Sequence, residues 1–327
     1  MDNNLNQNNA GELEHVEQSE AAQTKRKLRG YALVRVIMMS VFALAFAVFV
    51  TITIAYKVRD IRAKNKTEQI MSGFNEITYN GTVPTNTDPI IIPSATPEST
   101  DPKVESTPEA ESTPNVEMTT PEETEPPVDP EYQEYISKLI AEAKAMKEQY
   151  PDFVGIISIN GDVIDMKYPF FQGKNNQYYV NHLYDGSLNS TGEIFLDTRN
   201  NRELLKNKNN VLYGHNMNDG TKFGQIKFYK YSTVFYTHNI VITTPECVMT
   251  FKPFSYYQTH LYAEYIDVNF GNKAEFASFC MSEQQKSKFE SNYNFTGEEC
   301  IITLSTCYGT SETERHCVHA VLVDISK

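Results

Sequence analysis

The chain has 327 residues, 40% of them hydrophobic and 22% charged, with 29 Lys and Arg against 42 Asp and Glu. The acidic surplus is uneven: 83–130 holds 11 acidic residues and one basic, and 131–327 holds 23 and 18. A net-acidic C-terminal half without a Lys/Arg run argues against nucleic acid as a partner, because neutralising phosphates takes clustered cations; its ordinary aromatic and β-branched content excludes a collagen, a coiled coil or a wholly disordered chain.

Between Arg35 and Lys57 lie 21 residues without a charge, Val36 to Tyr56. At about 1.5 Å per residue they reach roughly 30 Å, the thickness of a bilayer's hydrocarbon core. The run is long for a signal-peptide core and no small-x-small cleavage site follows it, so the spacing predicts a single transmembrane helix over 36–56. It separates an N-terminal tail, 1–35, from a juxtamembrane segment, 57–82. Lys25, Arg26, Lys27, Arg29 and Arg35 before the span are matched by Lys57, Arg59, Arg62, Lys64 and Lys66 after it, so the positive-inside count is a tie.

Residues 83–130 carry 11 of the 15 prolines, interleaved with Ser, Thr and Glu. Such a stretch has little to bury and repels itself, which predicts a disordered, extended linker. Stretched as polyproline it could span on the order of 140 Å. Asp129-Pro130 then reads as a helix N-cap followed by proline at the first helical position. Apolar residues at Tyr132, Tyr135, Ile136, Leu139, Ala143, Met146 and Tyr150 are three or four apart until Pro151 stops the run, which predicts one amphipathic helix.

After Pro151 the periodicity changes to short β-rich runs: 154–159, 193–196, 210–213, 239–243, 248–254, 259–268, 300–306 and 317–325. One other helical stretch, about 272–288, precedes the last two. No parallel strand-helix-strand alternation is visible. The pattern predicts a mainly β domain over 131–327: a closed or nearly closed barrel of eight strands with an N-terminal helix and a helical insertion.

Five cysteines, all after residue 246, are too few and too odd in number for a disulfide framework. No cysteine or histidine pair has metal-ligand spacing, and neither a metal nor a cofactor is expected. Cys307 ends one predicted strand and Arg315 begins the next. In a symmetric hairpin they face each other, and a guanidinium beside a thiol favours the thiolate and can stabilise an oxyanion. His215 ends the strand in Tyr213-Gly214-His215-Asn216-Met217, before a glycine-rich loop, where an imidazole is placed for proton transfer. The other six histidines lack comparable context. Cys300 has the opposite parity to Cys307, and Cys317 shares that of Arg315.

Tyr213-Gly214-His215-Asn216-Met217 with Phe223-Gly224, then Thr303-Leu304-Ser305-Thr306-Cys307 and Arg315, resembles the class B sortases. The likeness extends to Phe153–Ile159, Gln172–His182 and Gly192–Asn200, covering about 150–327. It implies a sortase-like barrel and a cysteine transpeptidase of Gram-positive bacteria. Such an enzyme cleaves a C-terminal sorting signal after threonine, through a thioacyl intermediate, and transfers the protein to an amine of a peptidoglycan precursor or a pilin. On the matching positions Cys307 is the nucleophile, Arg315 the oxyanion partner and His215 the proton carrier, with Ser305 and Asn181 as substrate-binding residues. Tyr308 departs from the acidic residue that follows the cysteine in some members. The implied setting is the cell membrane, with the tail cytoplasmic and the catalytic domain extracellular.

Two other readings compete. Another cysteine peptidase or transpeptidase would account for Cys307, but papain-like wall peptidases place cysteine before histidine and L,D-transpeptidases set arginine almost beside the cysteine. A non-catalytic, membrane-tethered binding module would account for the anchor and linker but not for three chemically matched residues at strand ends.

Overall fold

The computed structural model describes residues 3–79, 129–260, 263–307 and 314–327. It divides into two compact units, Met1–Arg62 and Ala63–Lys327. The predicted linker falls almost wholly on 80–128, outside the described residues, as does most of the loop between Cys307 and Arg315.

Helix α1 (Asn3–Ile70) is long and apolar enough to cross a membrane, with a mean hydropathy of 2.5 in its most apolar window. Phe42, Leu44, Val41 and Ile54, which point to different sides of the helix, are all exposed, at 70%, 69%, 59% and 58%. A stretch that is apolar on every side, rather than along one stripe, is suited to lipid and not to a soluble core. The compact second unit takes in Ala63 onwards, and α2 (Ser72–Glu76) belongs to it.

Helix α3 (Pro130–Gln149) forms where its cap and periodicity place it: the Asp129 carboxylate accepts from the Glu131 amide at 3.0 Å, and Tyr132, Ile136, Leu139, Ala143 and Met146 are buried. These side chains cover β1 (Phe153–Ile159). Ile157 and Ile159 point into the barrel, whereas Phe153 and Ile156 face α3. A bulge between Phe153 and Gly155 absorbs the change of parity near the strand's start.

The remaining strands are β2 (Met166–Phe171), β3 (Ile194–Leu196), β4 (Asn209–His215), β5 (Ile240–Thr243), β6 (Val248–His260), β7 (Ile301–Cys307) and β8 (Glu314–Ser326). They close in the order β1-β2-β3-β4-β7-β8-β6-β5, the eight-stranded barrel expected. A short α4 (Ser232–Thr237) precedes β5, and α5 (Lys273–Gln285), capped by the Asn272 side chain on the Glu275 amide, precedes β7. Strand β8 shows why both faces are apolar: Val318, Ala320 and Leu322 fill the barrel, and Val321 and Val323 pack with Phe276, Ala277 and Cys280 of α5.

Three details differ from the sequence reading. β2 was hidden by Pro169, which sits in the ladder opposite Ile156. The runs 248–254 and 259–268 are not two strands: Val248–His260 is one strand, tolerating Pro253 at a bulge, and 263–268 is irregular. Two pairings, β2 with β3 and β4 with β7, are parallel, without any strand-helix-strand alternation to announce them.

This packing separates core from cap energetically. Phe251→Ala empties a fully buried barrel position and is expected to cost about 3–5 kcal/mol. Asp129→Ala removes the capping bond and the exposed hydrogen bond from the Tyr79 hydroxyl, and should cost about 1–2 kcal/mol. Urea unfolding of the two variants checks the ranking; equal losses would contradict it.

Candidate active site

β4 and β7 run parallel in unbroken register from Asn209 opposite Ile301 to His215 opposite Cys307, the last pair of the ladder. β7 and β8 are antiparallel, with Ser305 opposite Cys317. The His316 amide donates to the Thr306 hydroxyl at 2.9 Å, in keeping with this register. The ladder's last pair is Ser305 with Cys317, and the same register carried two residues further would set Cys307 opposite Arg315. Backbone pairing thus brings His215, Cys307 and Arg315 to neighbouring ends of three adjacent strands.

The two glycines flanking this histidine loop allow close packing. A Cβ on Gly214 would lie 2.6 Å from the Phe223 ring, and one on Gly224 would lie 2.2 Å from the Met217 carbonyl. Phe223 can therefore lie against the strand while its amide donates to the His215 carbonyl at 3.0 Å. Nε2 of the His215 ring is 2.7 Å from the Val180 carbonyl. A carbonyl only accepts, so Nε2 carries the hydrogen and the lone pair of the neutral ring lies on Nδ1. Burial pushes the imidazole pKa down; the bond to Val180 opposes this, and the charges of Lys222 and Arg315 push it down further.

Lys222 forms a buried ion pair with Glu193. Their backbones complete a ring around the histidine. The Glu193 amide donates to Tyr179, next to Val180, at 2.9 Å, and Lys222 bridges to Asn216 in a left-handed conformation with φ of 52°. Neither residue stood out in the sequence, because an ion pair 29 positions apart leaves no periodic trace.

His215, Arg315 and Ser305 line one groove of about 560 Å³, together with Val180, Tyr213, Tyr265 and Ile266. Arg315 is 7% exposed, and its Nη1 donates to the Glu314 carbonyl at 3.3 Å. The Ser305 hydroxyl lies 2.8 Å from that of Tyr265. Asn181 is not among the lining residues; it ends the helical turn Tyr178–Val180, and its carbonyl accepts from the Asn189 amide at 2.8 Å.

Asp197 and Arg199 secure the far wall. Arg199 donates to Asp197 through Nε at 3.0 Å and Nη2 at 2.8 Å, and Nη2 also donates to the Ile266 carbonyl at 2.8 Å. The Tyr213 hydroxyl donates to Asp197 at 2.8 Å. Burial acts to raise the Asp197 pKa, but its bonds from Arg199 and Tyr213 outweigh that and hold it below the usual carboxylate range. Burial pushes the Tyr213 phenol up.

The other cysteines, Cys247, Cys280, Cys300 and Cys317, are free and buried. Burial raises the pKa of each, that of Cys300 to about 12, so none favours a thiolate. Cys317 shares the outer face of β8 with Arg315, under Tyr257 and Tyr265. Beside it His319, fully buried, lies 2.8 Å from the Thr303 hydroxyl and 3.3 Å from Glu283. This histidine had no context in the sequence; here it joins β7, β8 and α5 as part of the core.

The surroundings of His215 fix the sign of its titration. With its pKa depressed, the imidazole is neutral at pH 7 and gains its charge only below the ordinary histidine value of about 6.5. Histidine NMR is expected to give a midpoint under 6.5 for His215; a midpoint at or above that value would show that burial and the two cations do not dominate.

No protein-family model matches the chain. It is 32% identical over 179 residues to Sortase B of Listeria monocytogenes, spanning 53% of this chain and 70% of the relative. It is also 32% identical over 178 residues to Sortase B of Staphylococcus aureus, spanning 54% and 72%. Among solved structures, a Staphylococcus aureus sortase B–substrate complex superposes with a TM-score of 0.52 at 30% identity, covering 56% of this chain and 85% of that one. Clostridium perfringens sortase B gives 0.51 at 31% identity, covering 55% and 99%. By its barrel, its groove and these relatives, the chain belongs to the class B sortases and is a cysteine transpeptidase.

Proposed function

We propose that this sortase transpeptidase uses Cys307 as nucleophile, His215 as proton carrier and Arg315 as oxyanion partner. The observation that carries the reading is the end of the β4–β7 ladder in the His215–Cys307 pair, with Arg315 entering the same groove from β8. The substrate is a protein with a C-terminal sorting signal, cleaved after threonine. A groove lined by Tyr213, Tyr265 and Ile266, with the Ser305 hydroxyl on its floor, suits an extended peptide with apolar and polar side chains. Ser305 is assigned to peptide binding; Asn181 contributes by holding the turn that presents Val180.

The proton inventory follows from the neutral imidazole. As the Cys307 sulfur attacks the threonine carbonyl, its proton passes to His215, and the developing oxyanion is stabilised by the Arg315 guanidinium. Collapse breaks the peptide C–N bond, and the imidazolium gives its proton to the leaving amine. The thioester is then opened by an incoming amine, which His215 deprotonates, and the thiol is restored. The acceptor is an amine of a peptidoglycan precursor or a pilin subunit.

Residues 36–56 anchor the enzyme in the membrane by a single span, with 1–35 cytoplasmic and the catalytic unit outside, where sorting substrates and wall acceptors are met. The exposed apolar face of α1 supports the anchor.

Single-turnover acylation tests the roles. Cys307→Ala is expected to abolish thioacyl formation, whereas Cys247→Ala, Cys280→Ala and Cys300→Ala stay within a few fold; an active Cys307→Ala enzyme removes the mechanism. Arg315→Ala should slow acylation by about 10²-fold or more, as loss of one oxyanion donor does, with little recovery in Arg315→Lys because an ammonium lacks the forked donors. His215→Ala should be partly rescued by an ester substrate whose leaving group needs no proton. Equal ester rescue in the Arg315 and His215 variants would mean that the two roles are wrongly divided.

A further inference from the structure

A membrane span followed by a proline-rich spacer and then a catalytic domain would make residues 83–130 the tether. The contacts of residues 63–79 indicate another route. Ala63, Thr67, Met71 and Phe74, spaced by three or four, form one buried stripe, with Met71 2% and Phe74 0% exposed. Met71 and Phe74 pack in the same cluster as Tyr132, Ile136 and Met146 of α3 and Ile156 of β1. This is a shared core and not a surface touch.

Polar contacts fix the same segment at three points. Lys66 pairs with Asp185 at 2.5 Å and donates to the Ser187 hydroxyl at 3.1 Å. Burial works to raise the Asp185 pKa, yet its bonds from Lys66 and Ser187 bring it to about 2. Lys167 of β2 donates to the Phe74 carbonyl at 2.8 Å, satisfying a group at the end of the short helix α2. The Tyr79 hydroxyl donates to Asp129 at 2.8 Å, and its ring meets those of Tyr135 and Tyr132 at centroid distances of 5.5 and 5.2 Å. Tyr79 and Asp129 are the described residues that border 80–128, so the two ends of that segment are joined to each other.

We infer that residues 63–79 are built into the core of the catalytic unit, so that the chain through 57–62, and not the proline-rich segment, ties this unit to the N-terminal helix. The inference rests on the reading of α1 as a membrane anchor. Six residues, 57–62, separate the apolar stretch from Ala63, a covalent reach of about 25 Å. The linker as tether would have allowed on the order of 140 Å. The catalytic unit is therefore leashed through residues 57–62, and cutting the chain within the proline-rich sequence leaves it attached.

The test uses the full chain in detergent, tagged at its N-terminus, with a specific protease site inserted between Glu105 and Ser106. After complete cutting, capture of the tag is expected to retain the catalytic fragment. Phe74→Asp should lower that retention by tenfold or more, and the milder Phe74→Ala should lower it on dilution while the fragment remains protease-resistant. A catalytic fragment lost on cutting the unaltered chain, or retained equally in both Phe74 variants, overturns the packing of 63–79 into the core. Sedimentation of uncut chain with membranes tests the anchor separately: recovery in the soluble fraction overturns the anchor and the tether route with it, while the captured pair would still establish that packing.

Discussion

The parallel pairing of β4 with β7 is the constraint on which the site depends. His215 and Cys307 are 92 positions apart in the chain, and nothing local holds them together. Parallel neighbours cannot be joined by a tight turn, so the intervening chain must travel around the barrel. It does so as β5, β6 and α5, returning to β4 in a register that runs seven pairs without a shift. A slip of one residue would turn every β7 side chain to the opposite face, exchanging Ile302 and Leu304 of the barrel interior for polar neighbours. The apolar alternation of β7 thus protects the alignment of His215 with Cys307 at its end.

Around that alignment the protein places two rigid polar devices, one on each side of the groove. On one side, the Glu193–Lys222 pair and the Val180 carbonyl confine His215 through both backbone and ring. On the other, Asp197 holds Arg199 against the Ile266 carbonyl and takes the Tyr213 hydroxyl, joining the end of β3 to the irregular stretch after β6. A buried ion pair such as Glu193–Lys222 is weak as a net stabiliser, since desolvation offsets much of the attraction, but removing one partner strands a charge. The contribution of the two devices here is geometric: they hold the backbone around His215 and Val180 and the wall of the groove.

The N-terminal segment changes how the chain's composition relates to its architecture. A proline-rich, acidic stretch beside an apolar helix suggests a spacer, and composition alone cannot show that the residues before it return to the catalytic core. Met71 and Phe74 do so through helix periodicity too short to register as an element, supported by the pairs Lys66–Asp185 and Tyr79–Asp129.

What the sequence determined by itself is everything whose physical cause is local. That the chain around 36–56 forms a helix apolar enough to cross a membrane is a matter of length and charge; α3 follows from Asp129, Pro130 and a spacing of three and four; the strand ends at His215 and Cys307 are marked by alternation and by the glycines that allow Phe223 to pack. That one strand ends at Cys307 and the next carries Arg315 near its start was also legible, from the polar, glycine-containing stretch between two β-rich runs. Tertiary structure decided what depends on distant partners. Pro169 and Pro253 looked like breaks, yet the ladder and a bulge absorb them. Asp197 with Arg199, Glu193 with Lys222, and His319 with Glu283 acquire meaning only when strands far apart in sequence become neighbours. Asn181 illustrates the converse, a residue matched in sequence whose backbone, by building the turn beside Val180, is what the groove uses. Pairing energies between remote segments are sums over the whole barrel, and no window of adjacent residues contains them.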